Sequence, residues 1–311
     1  MDIIKLEPGL SLIDLSPPVP GMEGILGAYV ILAQKIALID TGPSATLENL
    51  FSALAELKID PEDIAYILIT HIHLDHSGGI GGAIQRMPNA KCLVHEKGFY
   101  HLAHPDKLWK GSLQTLREVA EGYGPPEPVP EDRLMVAREG LQIDLGDVQM
   151  EVLLTPGHAS HHLSLFDRKR GKLFPGEAAG VFFPHINFTR PACPPPFDMR
   201  QALTSANKLI AAAPRDLYYQ HFGYSPNALA QLRKYKELLI SWSKIVVRRL
   251  NDDPQKIVDE ILTQDRTKEV VYSLSPNRIQ TELFFDGNNV LGLQDYFRRE
   301  GVDVLKELEK L

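Results

Sequence analysis

Residues 65–79 read AYILITHIHLDHSGG, and this stretch decides the fold. Its first six residues are apolar or β-branched and predict a strand, which a polar turn and two glycines follow at once. Such an arrangement is typical of a functional site. If the turn lies just past the strand, His71 and His73 point one way, while Asp75 and His76 turn toward a neighbouring point. Imidazole and carboxylate are preferred ligands of catalytic zinc and iron, so the stretch predicts two adjacent metal ions.

Further ligand types occur at the ends of three other predicted strands. His158 follows the hairpin-like run LQIDLGDVQMEVLL at 141–154, Glu177 ends KLFPGE, and His221 ends DLYYQH. A strand end in a buried scaffold holds side chains rigidly, as metal coordination requires. A lone histidine at a strand end is more often structural than a ligand. Three such residues in this order favour a metal site.

Composition narrows the class of protein. The chain has 311 residues, a formal net charge of −7, eleven histidines and two cysteines. A hydrophobic fraction of 44% and a charged fraction of 23% exclude disordered, collagen-like and coiled-coil proteins. Two cysteines exclude a disulfide framework or a cysteine-rich zinc fold, so nitrogen and oxygen would hold any metal. The acidic balance argues against nucleic acid as a partner.

The sequence predicts no membrane partner. Its N-terminal stretch, MDIIKLEPGLSLIDLS, lacks a basic start before a long apolar run and does not resemble a signal peptide. No window approaches the ~18 uncharged apolar residues of a spanning helix. We therefore expect a cytoplasmic protein.

The pattern of residues changes near residue 226. Residues 1–225 alternate strand-like runs with amphipathic segments and predict a catalytic domain, in which 181–198 is read as a long loop. Residues 226–311 read as helices, beginning with the candidate LAQLRKYKELLISWSKIVVRRL, and predict a C-terminal extension. The basic residues of that helix are compatible with RNA binding, but basic residues in such a helix usually form a solvent-exposed face. Its apolar residues favour packing on the core or on a second subunit in a homo-oligomer.

These motifs resemble the metallo-β-lactamase superfamily. They are H-x-H-x-D-H at 71–76, T-P-G-H at 155–158, an acid after a strand and a glycine at 177, and a late histidine at 221. The similarity is to the glyoxalase II, lactonase and ribonuclease Z branches and covers about residues 1–225. It implies an α/β fold, the four-layer αββα metallo-β-lactamase sandwich, here with a C-terminal helical appendage.

The resemblance also implies a ligand set for two divalent metal ions, zinc being expected and iron or manganese the alternatives. One site would comprise His71, His73 and His158, the other Asp75, His76 and His221, with Glu177 at the bridging position. Asp40 would support a ligand, and His162 would be structural. Most of the family has Asp where this chain has Glu177, so metal spacing, occupancy or identity is expected to differ.

The implied function is hydrolysis of a small molecule. A metal-bridging hydroxide would attack an ester, thioester or lactone carbonyl without a separate general base, and Asp75 would also orient the nucleophile. His185 and Tyr224 are our candidates for an oxyanion donor or a leaving-group acid. The alternatives are a metallo-phosphodiesterase or nuclease, a mononuclear iron oxygenase of the persulfide dioxygenase type, and a binding protein that has lost its chemistry.

Overall fold

Two β-sheets stacked face to face form the centre of the molecule. The computed structural model describes residues 2–264, 268–269 and 276–311, without the side chain of Asn277. The first sheet has seven strands in chain order, antiparallel from β1 to β4 and parallel from β4 to β7. They are β1 (Ile3–Glu7), β2 (Leu10–Asp14), β3 (Gly27–Ile31), β4 (Ile36–Ile39), β5 (Ile64–Leu68), β6 (Lys91–His95) and β7 (Leu134–Ala137).

The second sheet has six strands in the order β15-β14-β11-β10-β9-β8. It contains β8 (Gln142–Asp144), β9 (Gln149–Leu154), β10 (Leu163–Asp167), β11 (Lys172–Phe174), β14 (Asp216–Tyr219) and β15 (Gly223–Ser225). Strands β11 and β14 pair in parallel, and the other pairs are antiparallel. The pairing of β8 with β9 confirms the hairpin predicted from the run at 141–154.

Helices cover the outer faces of both sheets. The helices on the first sheet are α1 (Leu47–Glu56), α2 (Leu74–Ser77), α3 (Ile80–Arg86), α4 (Glu96–Ala103), α5 (Asp106–Leu116) and α6 (Glu118–Tyr123). Helix α7 (Met199–Ala211), which precedes the last two strands of the second sheet in the chain, packs on that sheet. Leu12 and Val152 belong to the core between the sheets. Leu54 packs under the first sheet, and Leu209 packs against the second. The four layers confirm the predicted αββα sandwich.

The segment at 181–198 is more ordered than the sequence indicated. The prediction of one long loop is wrong over its first part, because β12 (Val181–Phe183) and β13 (Phe188–Arg190) pair as an antiparallel hairpin. Phe182 stacks on Tyr219 of the second sheet, and this buried contact holds the hairpin in place.

The C-terminal part of the chain is helical, as predicted. It contains α8 (Ala228–Arg248), α9 (Pro254–Gln264), α10 (Pro276–Glu300) and α11 (Leu305–Leu308). Their buried core includes Trp242 and Leu293 and extends to Leu203 of α7. None of the helices that the structure describes is long and apolar enough to cross a membrane. The domain boundary near residue 225 stays a prediction.

Helix α10 also packs against the segment that follows β13. The Asn289 side chain accepts a hydrogen bond from the Cys193 backbone N–H at 2.7 Å and donates one to the Pro191 carbonyl at 3.2 Å. Arg190 forms buried ion pairs with Glu282 at 2.6 Å and Asp286 at 3.0 Å. These contacts place α10 beside β13 and the segment that follows it.

Candidate metal centre

Turns at the ends of several strands bring the predicted ligands together. His71 and His73 follow β5, and Asp75 and His76 lie on the short helix α2. The remaining three ligand candidates come from the second sheet: His158 from the β9–β10 connection, Glu177 from the turn after β11, and His221 from the turn after β14.

Three imidazoles form the first group. The Nε2 atom of His71 lies 3.0 Å from Nδ1 of His73, which lies 3.1 Å from Nε2 of His158. The carboxylate of Glu177 completes this group, because one of its oxygens lies 3.1 Å from both His71 Nε2 and His158 Nε2. The four residues can each offer one ligand atom to a common point.

Asp75, His76 and His221 form a second group beside the first. Nε2 of His76 lies 3.0 Å from Nε2 of His221, and an oxygen of Asp75 lies 3.2 Å from the latter atom. Glu177 reaches this group too, since its Oε2 lies 3.2 Å from His76 Nε2 and its Oε1 lies 3.5 Å from His221 Nε2. Its carboxylate therefore stands between the two groups.

The donor set fits divalent metal ions. Oε2 of Glu177 is buried without a hydrogen-bond partner among the described residues, and ring nitrogens of His71, His76 and His158 surround it. The other ring nitrogen of His158 donates to the Ala192 carbonyl at 3.1 Å, so its Nε2 carries a lone pair in the neutral ring. Lone pairs that converge in a buried site in this way would be stabilised by a cation between them.

Asp40 supports the centre from behind, as the resemblance implied. Its carboxylate lies 2.8 Å from Nδ1 of His76 and accepts hydrogen bonds from the Thr70 backbone N–H and hydroxyl. The Thr70 hydroxyl also lies 3.2 Å from Nδ1 of His71. Second-layer contacts of this kind fix the ring orientation of metal-ligating histidines.

His162 has a structural role in this arrangement. Its Nε2 accepts the Glu177 backbone N–H at 3.1 Å, so its Nδ1 carries the proton and donates to the Thr155 hydroxyl at 2.9 Å. Both ring nitrogens of His162 therefore form hydrogen bonds within the protein. Gly176 has a φ of +55°, and a Cβ at this position would collide with the His162 ring. The turn that presents Glu177 therefore depends on glycine.

Burial acts strongly on the histidines of the centre. Together with the imidazoles of His76 and His73, burial holds the pKa of His71 well below its usual value. Burial and the adjacent His158 lower the pKa of His73 to about 4. For His76, burial lowers the pKa, but the charges of Asp75 and Asp40 outweigh it and raise the pKa well above its usual value.

The two carboxyl groups of the centre are ionised at neutral pH. Burial alone would raise the pKa of Asp75, but His76 and His221 outweigh it and bring the pKa to about 2. Burial would likewise raise the pKa of Glu177, but His158 and His221 hold it well below the usual range. Nitrogen donors and two negative oxygens suit zinc, iron or manganese.

Both groups contribute side chains to the lining of a cavity of about 510 Å³, namely His73, Asp75, His158, Glu177 and His221. This volume is within the range of small-molecule sites, about 300–1,000 Å³. Helices α4 to α6 contribute one part of its lining, and α10 contributes another through Glu282, Phe285, Asn288 and Asn289. The C-terminal helices thus take part in the cavity, which the sequence did not indicate.

Two cavity residues escaped the sequence analysis. Tyr123, at the end of α6, is buried, and its pKa is raised well above the usual value, first by burial and then by Asp75 and Glu177. His161 accepts the Ile72 backbone N–H on Nδ1 at 3.4 Å, so the proton of the neutral ring is on Nε2. No motif marks Tyr123, whereas His161 stands between the two motif histidines His158 and His162.

The structure does not bring His185 and Tyr224 to the cavity. His185 is exposed beside the β12–β13 turn, because that segment forms a hairpin rather than a loop folded over the site. Tyr224 is partly exposed, packs beside Tyr218 and donates to Asp216 at 3.2 Å. Neither residue lines the cavity, so their assignment as oxyanion donor or leaving-group acid is corrected.

The chain matches a known protein family over most of residues 1–225. Residues 28–221 match the model of the metallo-β-lactamase superfamily. The chain is 29% identical over 244 residues to the metallo-beta-lactamase fold-containing protein ST1585 of Sulfurisphaera tokodaii, covering 76% of this chain and 86% of that protein. It is 31% identical over 112 residues to the N-acyl homoserine lactonase AttM of Agrobacterium fabrum, covering 36% of this chain and 39% of that protein.

Solved structures show the same fold at lower identity. The crystal structure of ST1585 has a TM-score of 0.71 at 24% identity, covering 92% of this chain and 98% of that one. The metallo-β-lactamase family protein TTHA1429 of Thermus thermophilus has a TM-score of 0.70 at 22% identity, covering 95% of both chains. Both matches extend well beyond residue 221 and therefore include C-terminal helices.

Proposed function

Because the chain belongs to the metallo-β-lactamase superfamily, we propose that it is a dinuclear metal-dependent hydrolase that cleaves an ester, thioester or lactone. The observation that carries this proposal is the position of Glu177, whose two carboxylate oxygens reach both ligand groups. The lactonase AttM and the probable metallo-hydrolase YqjP of Bacillus subtilis, which is 26% identical over 178 residues, support the reaction class.

Each residue of the centre has a proposed role. One metal ion would be held by His71, His73 and His158, and the other by Asp75, His76 and His221, with Glu177 shared. Divalent metal ions at such sites supply a Lewis acid and lower the pKa of water to ~7. Asp75 lines the cavity, so its carboxylate can also accept a hydrogen bond from an attacking water and orient it.

Tyr123 and His161 take the place that the sequence gave to Tyr224 and His185. Both line the cavity, and no hydrogen-bond acceptor holds the Tyr123 hydroxyl or the His161 Nε2–H among the described residues. Each can therefore donate to a substrate oxygen as negative charge develops there.

The basic residues of α8 do not support the nuclease alternative. Four of them contact acids or an amide of the protein: Lys244 pairs with Glu309, Arg248 with Glu260, Lys234 with Glu237, and Lys236 binds Asn207. These pairs favour the interpretation as a solvated face. The iron oxygenase alternative needs fewer ligands than the seven gathered here.

Metal analysis combined with a substrate panel tests the proposal. We expect close to two metal ions per chain, and turnover of a 4-nitrophenyl ester, a thioester or a lactone in preference to bis(4-nitrophenyl) phosphate. The variant His73→Ala should lose this activity, whereas His104→Ala, at an exposed histidine outside the cavity, should retain it. Well under one metal per chain, or full activity in His73→Ala, would overturn the proposal.

A further inference from the structure

One wall of the cavity carries cationic side chains that the metal centre does not use. Lys97 and His101 lie one turn apart on α4 and therefore share a face of that helix. Lys107 lies in the first turn of α5, and all three residues line the cavity. Both lysines are exposed, and neither has an ion-pair partner in the described part of the chain.

His101 adds an unsatisfied polar atom to the same wall. Its Nδ1 is buried and has no hydrogen-bond partner among residues 2–264, 268–269 and 276–311. A buried nitrogen in this state costs free energy that a bound polar ligand can recover. Among the described residues, the wall formed by α4 and α5 thus carries two lysines without an ion-pair partner and a histidine nitrogen without a hydrogen-bond partner.

The acidic residues of α10 do not pair with the lysines. Glu282, which lines the cavity, and Asp286 form ion pairs with Arg190, and Glu282 also accepts a hydrogen bond from Arg278 at 2.7 Å. The other two carboxylates at the cavity, Asp75 and Glu177, belong to the metal centre. Among the described residues, no carboxylate pairs with Lys97 or Lys107, so both ammonium groups can bind an anionic ligand.

Apolar side chains line the same cavity as the two lysines and the metal centre. They include Met22, Ile25, Leu108, Leu116 and Phe285. A ligand that contacts both the metal centre and the lysines can place hydrocarbon against these residues. The cavity therefore fits a molecule with a reactive carbonyl at one end, an apolar middle and an anion at the other end.

We propose that the substrate carries a carboxylate or phosphate group remote from its reactive carbonyl, and that Lys97 and Lys107 bind this anion. The inference rests on the proposed hydrolase function and specifies its substrate class. Lys97 and Lys107 set specificity through binding and take no part in bond cleavage. Because both lysines are exposed, their attraction for the anion weakens with added salt.

Two ketones test the inference without turnover. We would measure binding of 7-oxooctanoate and of the neutral 2-octanone to the metal-loaded protein by titration calorimetry at low salt. We expect the anionic ketone to bind about fivefold more tightly, the magnitude typical of two exposed ion pairs. The double variant Lys97→Met/Lys107→Met should abolish the difference. Lys110→Met, at an exposed lysine of α5 that does not line the cavity, should preserve it.

Two results would overturn the inference. One is equal binding of the two ketones by the unaltered protein. The other is an unchanged preference in the double variant, which would mean that the carboxylate binds at the metals. A further arm with 6-oxoheptyl phosphate distinguishes phosphate from carboxylate as the preferred anion.

The inference and the proposed function can fail separately. Absence of hydrolysis of every neutral and anionic ester would refute the hydrolase function, whatever the ketones show. Hydrolysis of neutral 4-nitrophenyl hexanoate without any preference for the anionic ketone would refute only the inference. As a control, Lys110→Met, which does not alter the cavity lining, should cleave the neutral ester at the rate of the unaltered protein.

Discussion

The Nδ1 atom of His76 lies 2.8 Å from Oδ2 of Asp40, and both side chains are buried. This contact turns Nε2 of His76 toward Glu177 and Asp75. We expect Asp40→Asn to lower metal affinity about 10- to 100-fold, the usual cost of losing such a support. Competition with a chromophoric chelator measures it. The matched variant Asp63→Asn, at an exposed residue, should bind metal normally, and equal affinities in the two variants would contradict this role.

Metal binding should release protons near neutral pH. Asp75 and Asp40 raise the pKa of His76 well above its usual value against the effect of burial, so the metal-free ring holds a proton that the metal must displace. Affinity should therefore rise with pH. Calorimetric titration of Zn²⁺ in two buffers of different ionisation enthalpy counts the protons. An identical heat in both buffers at pH 7 would show that His76 is already neutral.

Glu177→Gln should separate the two ligand groups. The substitution keeps the size of the side chain but removes the charge that stands between them, so we expect at most one tightly bound metal and a loss of activity of about 100-fold or more. Elemental analysis and ester turnover measure both effects. Glu118→Gln, at an exposed residue of α6, is the control. Two retained metals with full activity would exclude a shared role for Glu177.

The sequence predicted the centre better than its surroundings. The predicted ligands all follow strands, where the sequence pattern is clear and the sheet holds the side chains rigidly. The structure brings them together: His71, His73, Asp75, His76, His158, Glu177 and His221. Their role as metal ligands stays a prediction. Tyr123 lies at the end of a helix with no motif, so only its three-dimensional position reveals it.

The C-terminal wall of the cavity illustrates the limit of sequence pattern. Asn289 and Cys193 are 96 residues apart, yet a hydrogen bond joins them beside the cavity. Helical periodicity in the sequence identified the region of α10, but it gave no information about which face of this helix contacts residues 1–225. The hairpin at β12 and β13 was missed for a similar reason, since its pairing and its stacking on Tyr219 are tertiary contacts.

The buried ion pairs of Glu282 should make the protein sensitive to acid. Burial alone would raise the pKa of Glu282, but Arg190 and Arg278 outweigh it and lower the pKa. A carboxyl group with a lowered folded-state pKa stabilises the fold above its unfolded pKa of about 4.3, and this stabilisation is lost as the pH falls through the folded value.

Urea unfolding at pH 6 and pH 3 tests this linkage. The unaltered protein should lose more free energy of unfolding between these values than Glu282→Gln, which lacks the titrating group. At pH 7 the variant should be less stable by about 3 kcal/mol, because Arg190 loses a buried partner. Glu300→Gln, at an exposed residue near the end of α10, serves as the control. Parallel pH profiles of the Glu282 variant and the unaltered protein would refute the linkage.

Gly176 and Gly287 should respond in opposite ways to the same substitution. Gly176→Ala places a Cβ at a φ of +55° and against the His162 ring, so we expect a loss of about 1–2 kcal/mol and weaker metal binding as the Glu177 turn shifts. A Cβ at Gly287, inside α10, meets no atom within 4 Å. Gly287→Ala should therefore stabilise the protein by about 0.5–1 kcal/mol, because alanine loses less backbone entropy in a helix. Thermal unfolding with and without chelator measures both variants. If Gly176→Ala were neutral in stability and metal affinity, the hydrogen bond from the Glu177 backbone N–H to His162 would not be what fixes this ligand.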